Sequence, residues 1–169
     1  KRKKDKQAME KAKAGLERRV AERTGALAEA NARLREGEAR FRGLFNATFQ
    51  FIGLLSPDGT VLEANAAMLR LGGVRAAEVV GRPYWAAPWW PHDPATLALL
   101  RDAIAEAASG GFVRRETAMR DRDDARLAVD FSVTPVRDEE GLVSLLVAEA
   151  RDVSALKAAQ ALLHEAQKM

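Results

Sequence analysis

The sequence predicts an α+β fold: a five-stranded antiparallel sheet with helices on one face, a long helix before it and a shorter exit helix after it. Three observations point there. From about Lys11 to Asn46 there is no proline, and Ala, Glu, Leu and Arg, all good helix formers, dominate. After Thr48 the chain breaks into short apolar runs separated by Gly, Pro and Asp. Between Leu127 and Thr134, apolar and polar residues alternate as they do in a half-buried strand.

The first segment carries a heptad pattern. Val20, Leu27, Leu34 and Phe41 recur every seven residues, and Met9, Leu16, Ala30 and Leu44 hold the complementary position, which Arg23 and Gly37 weaken. A helix of this length, about 55 Å at 1.5 Å per residue, is too long to lie on one small body. A parallel homodimer through this seam is expected.

Phe51 to Leu55 and Thr60 to Ala64 read as two strands joined by the turn Ser56-Pro57-Asp58-Gly59. Asn65 is placed to cap a short helix, Ala66 to Leu71, which Gly72-Gly73 stops. Ala76 to Val80 is a further turn of helix, ended by Gly81-Arg82-Pro83. The stretch Pro-Trp-Trp-Pro-His-Asp-Pro, Pro88 to Pro94, is a rigid aromatic loop, in which Asp93 and Pro94 form an N-cap and first-position pair for the next helix. Leu97, Leu100, Ile104 and Ala108 mark the apolar stripe of that helix before Gly110-Gly111. Three strands follow, Phe112 to Arg120, Arg126 to Val136 and Leu142 to Ala150, with charged hairpin loops between them. The last is apolar nearly throughout and is expected at the sheet centre. Ala155 to Met169 is again helix, with an apolar seam at Val153, Leu156 and Leu163.

Composition removes several classes of function. Cysteine is absent, which excludes disulfides, thiolate metal sites and cysteine nucleophiles. The net charge is +3, but residues 1–13 alone carry +5, so the body is mildly acidic. No aromatic residue accompanies these basic residues to stack on bases. A solvated helix start, or a cytoplasmic segment beside a membrane span ahead of residue 1, is therefore preferred to nucleic-acid binding. No run approaches the roughly 18 apolar residues of a span. Phosphate-binding glycine loops, paired-histidine metal motifs and nucleophile elbows are missing, so no metal site and no reaction by this chain is expected.

The words Arg40-Phe41-Arg42-x-Leu44-Phe45, Asp58-Gly59-Thr60-Val61-Leu62-Glu63-Ala64-Asn65, Val80-Gly81-Arg82-Pro83-Tyr84-Trp85 and Arg151-Asp152-Val153-Ser154 occur in the order found in a PAS domain, and the stretch from about Ala39 to Ser154 resembles one. Leu16 to Thr24 resembles the signalling helix ahead of PAS domains in bacterial sensor kinases, and Leu163 to Met169 resembles the approach to a histidine-kinase phosphoacceptor helix. The division expected is 1–40 for the basic start and signalling helix, 41–153 for the PAS domain and 154–169 for the linker helix.

The resemblance implies a pocket between the inner sheet face and the helices. Its candidate lining is Phe51, Met68, Leu69, Tyr84, Trp85, Trp89, Trp90, His92, Leu100, Ile104, Met119, Val129, Phe131, Leu145 and Val147. The same residues would also serve as core, and Trp89 and Trp90 are expected as plugs over the pocket rather than a ligand-touching lid. Haem is not expected, because its ligand in haem-binding relatives comes from the longer helix, which has no histidine here. The photochemical flavin site of the family needs a cysteine, and non-covalent flavin is not expected either. Asp152, Val153 and Ser154 are the expected signal exit, with Asp152 starting the exit helix. Leu16, Val20, Leu27, Leu34 and Phe41 form the expected dimer seam. The implied role is a cytoplasmic sensory module of a two-component sensor histidine kinase, with the kinase domain in cis and a response regulator as partner. A ligand-free dimerisation spacer and a regulator of a diguanylate cyclase are the alternatives.

Overall fold

A computed structural model describes residues 1–168 and divides the chain into two compact units, Lys1–Leu44 and the part from Phe45 onward. Helix α1 spans Arg2–Ala47. It begins earlier than the heptads suggest, because the basic residues at its start include no helix breaker and Lys and Arg are good helix formers. Exposed ion pairs one turn apart, Lys13–Glu17, Glu36–Arg40 and Glu38–Arg42, line its surface, each worth a few tenths of a kcal/mol.

The second unit is built on a five-stranded sheet. Its strands are β1 (Phe51–Leu55), β2 (Val61–Ala64), β3 (Val113–Arg120), β4 (Arg126–Arg137) and β5 (Val143–Asp152). They lie in the order β2-β1-β5-β4-β3 with every neighbour antiparallel. The apolar β5 is central, as expected. Between β2 and β3 come α2 (Ala66–Gly72), α3 (Ala76–Val79), a 3-10 turn (Tyr84–Ala86) and α4 (Pro94–Ala108). Helix α5, Ser154–Lys168, leaves the sheet. Met169, where the expected exit helix ended, lies outside the described residues.

Local chemistry sets these boundaries. At the β1–β2 turn Gly59 has φ +91°, and a Cβ there would lie 2.6 Å from the Trp85 ring. No other residue fits that combination. The Asp93 carboxylate accepts from Thr96 N–H at 2.7 Å and starts α4 with Pro94 behind it. The buried face of α4 is Leu100, Ala103, Ile104 and Ala107. Leu97 is exposed and Ala107 replaces Ala108, so the stripe is turned from the expected one, with two alanines that let the helix approach the sheet.

Asn65 does more than cap α2. Its side chain is fully buried and makes four hydrogen bonds. Oδ1 accepts from Met68 N–H and Ile52 N–H, at 3.1 and 3.0 Å. Nδ2 donates to Phe45 O and Gln50 O, at 3.0 and 2.9 Å. One side chain therefore ties together the last turn of α1, the start of β1 and the start of α2.

Candidate functional site

The inner sheet face and the helices enclose an aromatic cluster. From β4, alternation points Val129, Phe131 and Val133 inward, and all three are buried. Met119 of β3 and Met68 of α2 close two sides. Tyr84, Trp89 and Trp90 come from the connection into α4 and are also fully buried. The Trp90 ring meets Phe131 edge-on at 5.3 Å and Tyr84 edge-on at 5.6 Å. Tyr84 stacks on Phe131 at 6.3 Å and lies tilted against Trp89 at 6.2 Å. Such edge and offset contacts each add about 0.5–1.5 kcal/mol beyond area burial.

The cluster has a polar defect. Tyr84 Oη, Trp89 Nε1 and Trp90 Nε1 are buried without a hydrogen-bond partner among the described residues. The Trp89 N–H comes near enough to the Tyr84 hydroxyl to favour the phenolate slightly, without completing a hydrogen bond. Burial dominates and pushes the Tyr84 phenol far above its ordinary value, so it stays neutral.

Six of the expected lining residues, Met68, Tyr84, Trp89, Trp90, Met119 and Phe131, are thus brought together, and Leu100, Ile104 and Val129 join the same core. Phe51 and Leu69 are partly buried against it. Trp85 sits at the margin, half-buried, with the Arg101 guanidinium 5.1 Å above its ring. His92 is exposed and takes no part in the cluster. A histidine beside a capping Asp faces solvent at the helix start, which removes it from the candidate lining. Leu145 and Val147 are also misplaced, because β5 turns Leu146, Ala148 and Ala150 inward. The signal lay at the strand's end, where Glu149 and Arg151 alternate with Ala148 and Ala150 and put Leu145 and Val147 on the same outward face; the pairing of Gly53 with Ala148 and of Phe131 with Ala150 agrees.

The exit is rooted in the sheet. Val153 is buried, and its N–H donates to Ala128 O at 2.8 Å. Ala128 N–H donates to Ser154 Oγ at 2.9 Å, and Lys157 pairs with Glu116 at 3.0 Å. Asp152 does not start α5 as expected. It ends β5 opposite Val129, and its carboxylate accepts from Ser154 N–H at 2.9 Å. Beyond this root α5 buries nothing, and Leu156, Leu162 and Leu163 are exposed. In the first unit, Leu16, Val20, Leu27, Leu34 and Phe41 are exposed on α1.

Among the described residues no group of three His, Asp or Glu could hold a metal ion, and no helix is long and apolar enough to cross a membrane.

The family whose profile matches, over residues 45–158, is described as PAS fold. The sensor histidine kinase TmoS of Ectopseudomonas mendocina is 38% identical over 124 residues, covering 72% of this chain and 13% of TmoS. Hybrid signal transduction histidine kinase D of Dictyostelium discoideum is 30% identical over 115 residues, covering 67% of this chain and 7% of that protein. The chain therefore spans a small part of either relative. The PAS domain of an HTR-like protein from Haloarcula marismortui superposes with a TM-score of 0.60 at 22% identity, covering 73% of this chain and 98% of that one, a likeness of fold.

Proposed function

Because the chain belongs to the PAS fold family, we propose that it is the sensory and dimerisation module of a two-component sensor histidine kinase. It pairs as a homodimer through its N- and C-terminal helices and passes a conformational bias to a kinase core in cis, which in the whole protein phosphorylates histidine and serves a response regulator. The module itself catalyses nothing, needs no cofactor and works in the cytoplasm.

The observation that carries this reading is the root of α5. Val153 and Ser154 are hydrogen-bonded to Ala128, while the leucines beyond them are left uncovered. A helix fixed to a sheet at one end, with exposed leucines at Leu156, Leu162 and Leu163 along its free length, suits the transfer of a displacement to a partner helix. The exposed heptad residues of α1 support pairing through the N-terminal helix, and the two kinase relatives support the output.

Light scattering on the double variant Leu27→Asp/Leu34→Asp tests the dimer, and autophosphorylation of the full-length parent carrying the same pair tests the output. Loss of dimer and of regulated activity is expected. An unchanged dimer would place the interface elsewhere.

A second reading, a dimerisation spacer that binds no ligand, is favoured by the aromatic packing, since Tyr84, Trp89, Trp90 and Phe131 fill the space a ligand would take. Native mass spectrometry of the purified chain separates the two readings: a retained small molecule removes the second.

A further inference from the structure

The tryptophan loop is fastened to the sheet by one residue. Arg120 closes β3; its backbone N–H donates to Trp89 O at 2.9 Å, and its Nε–H donates to Pro88 O, also at 2.9 Å. Two adjacent carbonyls of the loop are thus held by one side chain and its own backbone. The hairpin that follows covers the same region. A Cβ at Gly72 would lie 3.0 Å from the Trp89 ring, and one at Gly73 would lie 2.8 Å from Arg122 Cβ. The β3–β4 hairpin therefore closes over both the end of α2 and the loop.

That hairpin also holds the root of the exit helix. Arg120 pairs with Arg126, and two residues along the ladder Ala118 pairs with Ala128. Ala128 is the residue whose C=O accepts from Val153 N–H and whose N–H donates to Ser154 Oγ. Glu116, further along β3, takes Lys157. A hydrogen-bonded ladder moves as a unit, so the loop and the exit helix are attached to the same short piece of sheet.

The seated loop is not at rest in every respect. Trp89 Nε1, Trp90 Nε1 and Tyr84 Oη are buried unpaired when it is in place. Each would gain a water partner on release, which opposes the burial of the rings and narrows the gap between seated and released states.

We propose that Arg120 is the positioning residue that couples the seating of the Trp89–Trp90 loop to the docking of α5. The proposal rests on the reading of α5 as the route by which the signal leaves. Release of the loop frees Arg120, loosens the β3–β4 ladder at Ala128 and weakens the hold on Val153 and Ser154. The coupling is reciprocal, as any coupling between two sites in one equilibrium must be.

Hydrogen exchange on the whole chain tests it. In Arg120→Ala, the amides of Trp90 and Val153 should exchange about tenfold faster, the scale expected for a lost hydrogen bond from a charged donor. The amides of β5 should keep their rates. In Ser154→Ala, the amide of Arg120 should exchange severalfold faster. Faster exchange at Trp90 with no change at Val153 and Ala128 would overturn the proposal. If Arg120→Ala loosens the entire sheet, Ser154→Ala decides, and an unchanged Arg120 amide there overturns it. Neither measurement reads kinase output, so a failure here leaves the role proposed for α5 standing. A failure of α5 as output leaves the coupling standing.

Discussion

Asn65 Nδ2 donates to the backbone carbonyl of Phe45 at 3.0 Å, across twenty residues of sequence. With its bonds to Gln50, Ile52 and Met68, Asn65 ties together the last turn of α1, β1 and α2. Replacing it with alanine removes four hydrogen bonds, those to Phe45 O and Met68 N–H buried and those to Gln50 O and Ile52 N–H part-buried. We expect Asn65→Ala to cost about 3–5 kcal/mol in chemical denaturation. Asn46→Ala, which removes a single exposed bond to Ala66 N–H, should cost under about 1 kcal/mol. Equal losses would mean that the Asn65 network is not the source of the stability.

Tyr84 gives the opposite expectation. Its ring packs against Trp90 and Phe131, but its hydroxyl is buried with no partner among the described residues. Tyr84→Phe keeps the ring and removes the unpaired group, so stability should be unchanged or rise by up to about 1 kcal/mol. A thermal melt showing clear destabilisation would mean that the hydroxyl is paired in solution, by water or by a ligand in the cluster.

How far the sequence could be read depends on which physical rule each residue obeys. Strands and helices were legible because their borders are marked by residues with a local role: Gly59 with its positive φ, Asp93 and Pro94 at the head of α4, Gly73 at the end of α2. The faces of β4 were legible from alternation, and that placed Phe131 in the cluster. The face of β5 is harder to read, since Leu145, Leu146, Val147 and Ala148 are apolar on both sides and only Glu149 and Arg151 near its end mark the outward face, leaving Leu146, Ala148 and Ala150 inside. The reach of Asn65 to Phe45 and of Arg120 to Pro88 was also hidden, because both are tertiary contacts made by residues whose local role is already filled by a cap and a strand end. Trp89 and Trp90 lie fully buried in the cluster, whereas His92, two residues further along the chain, faces solvent.

Asp130 should make stability depend on pH. Arg114 binds its carboxylate through two hydrogen bonds, at 2.9 and 2.6 Å, and Arg151 lies 3.9 Å away. The Arg114 hydrogen bond is the main cause that holds the Asp130 carboxyl below its ordinary value; desolvation opposes it, and the charges of Arg114 and Arg151 add smaller pulls in the same direction as the hydrogen bond. A depressed folded-state pKa stabilises above the unfolded value, about 3.9, and that stabilisation is lost as pH falls through the folded value. Asp130→Asn should therefore melt below the parent chain at about pH 7, and the gap should shrink at about pH 2.5. A gap that is the same at both would show that the pair acts through shape and not charge.

The register of the exit helix supplies the last prediction. Val153 is fixed by Ala128, and Leu156 and Leu163 lie exposed along α5 seven residues apart. If α5 continues as a paired helix into the kinase, output depends on its rotational phase. One residue inserted after Leu156 turns everything beyond it by about 100°, because the helix has about 3.6 residues per turn. Seven inserted residues return the phase to within about 20°. In the full-length parent, the single insertion should shift autophosphorylation strongly, in either direction, while the seven-residue insertion should leave regulation largely intact. Equal activity in both would mean that α5 is a tether that brings the kinase close without telling it which way to face.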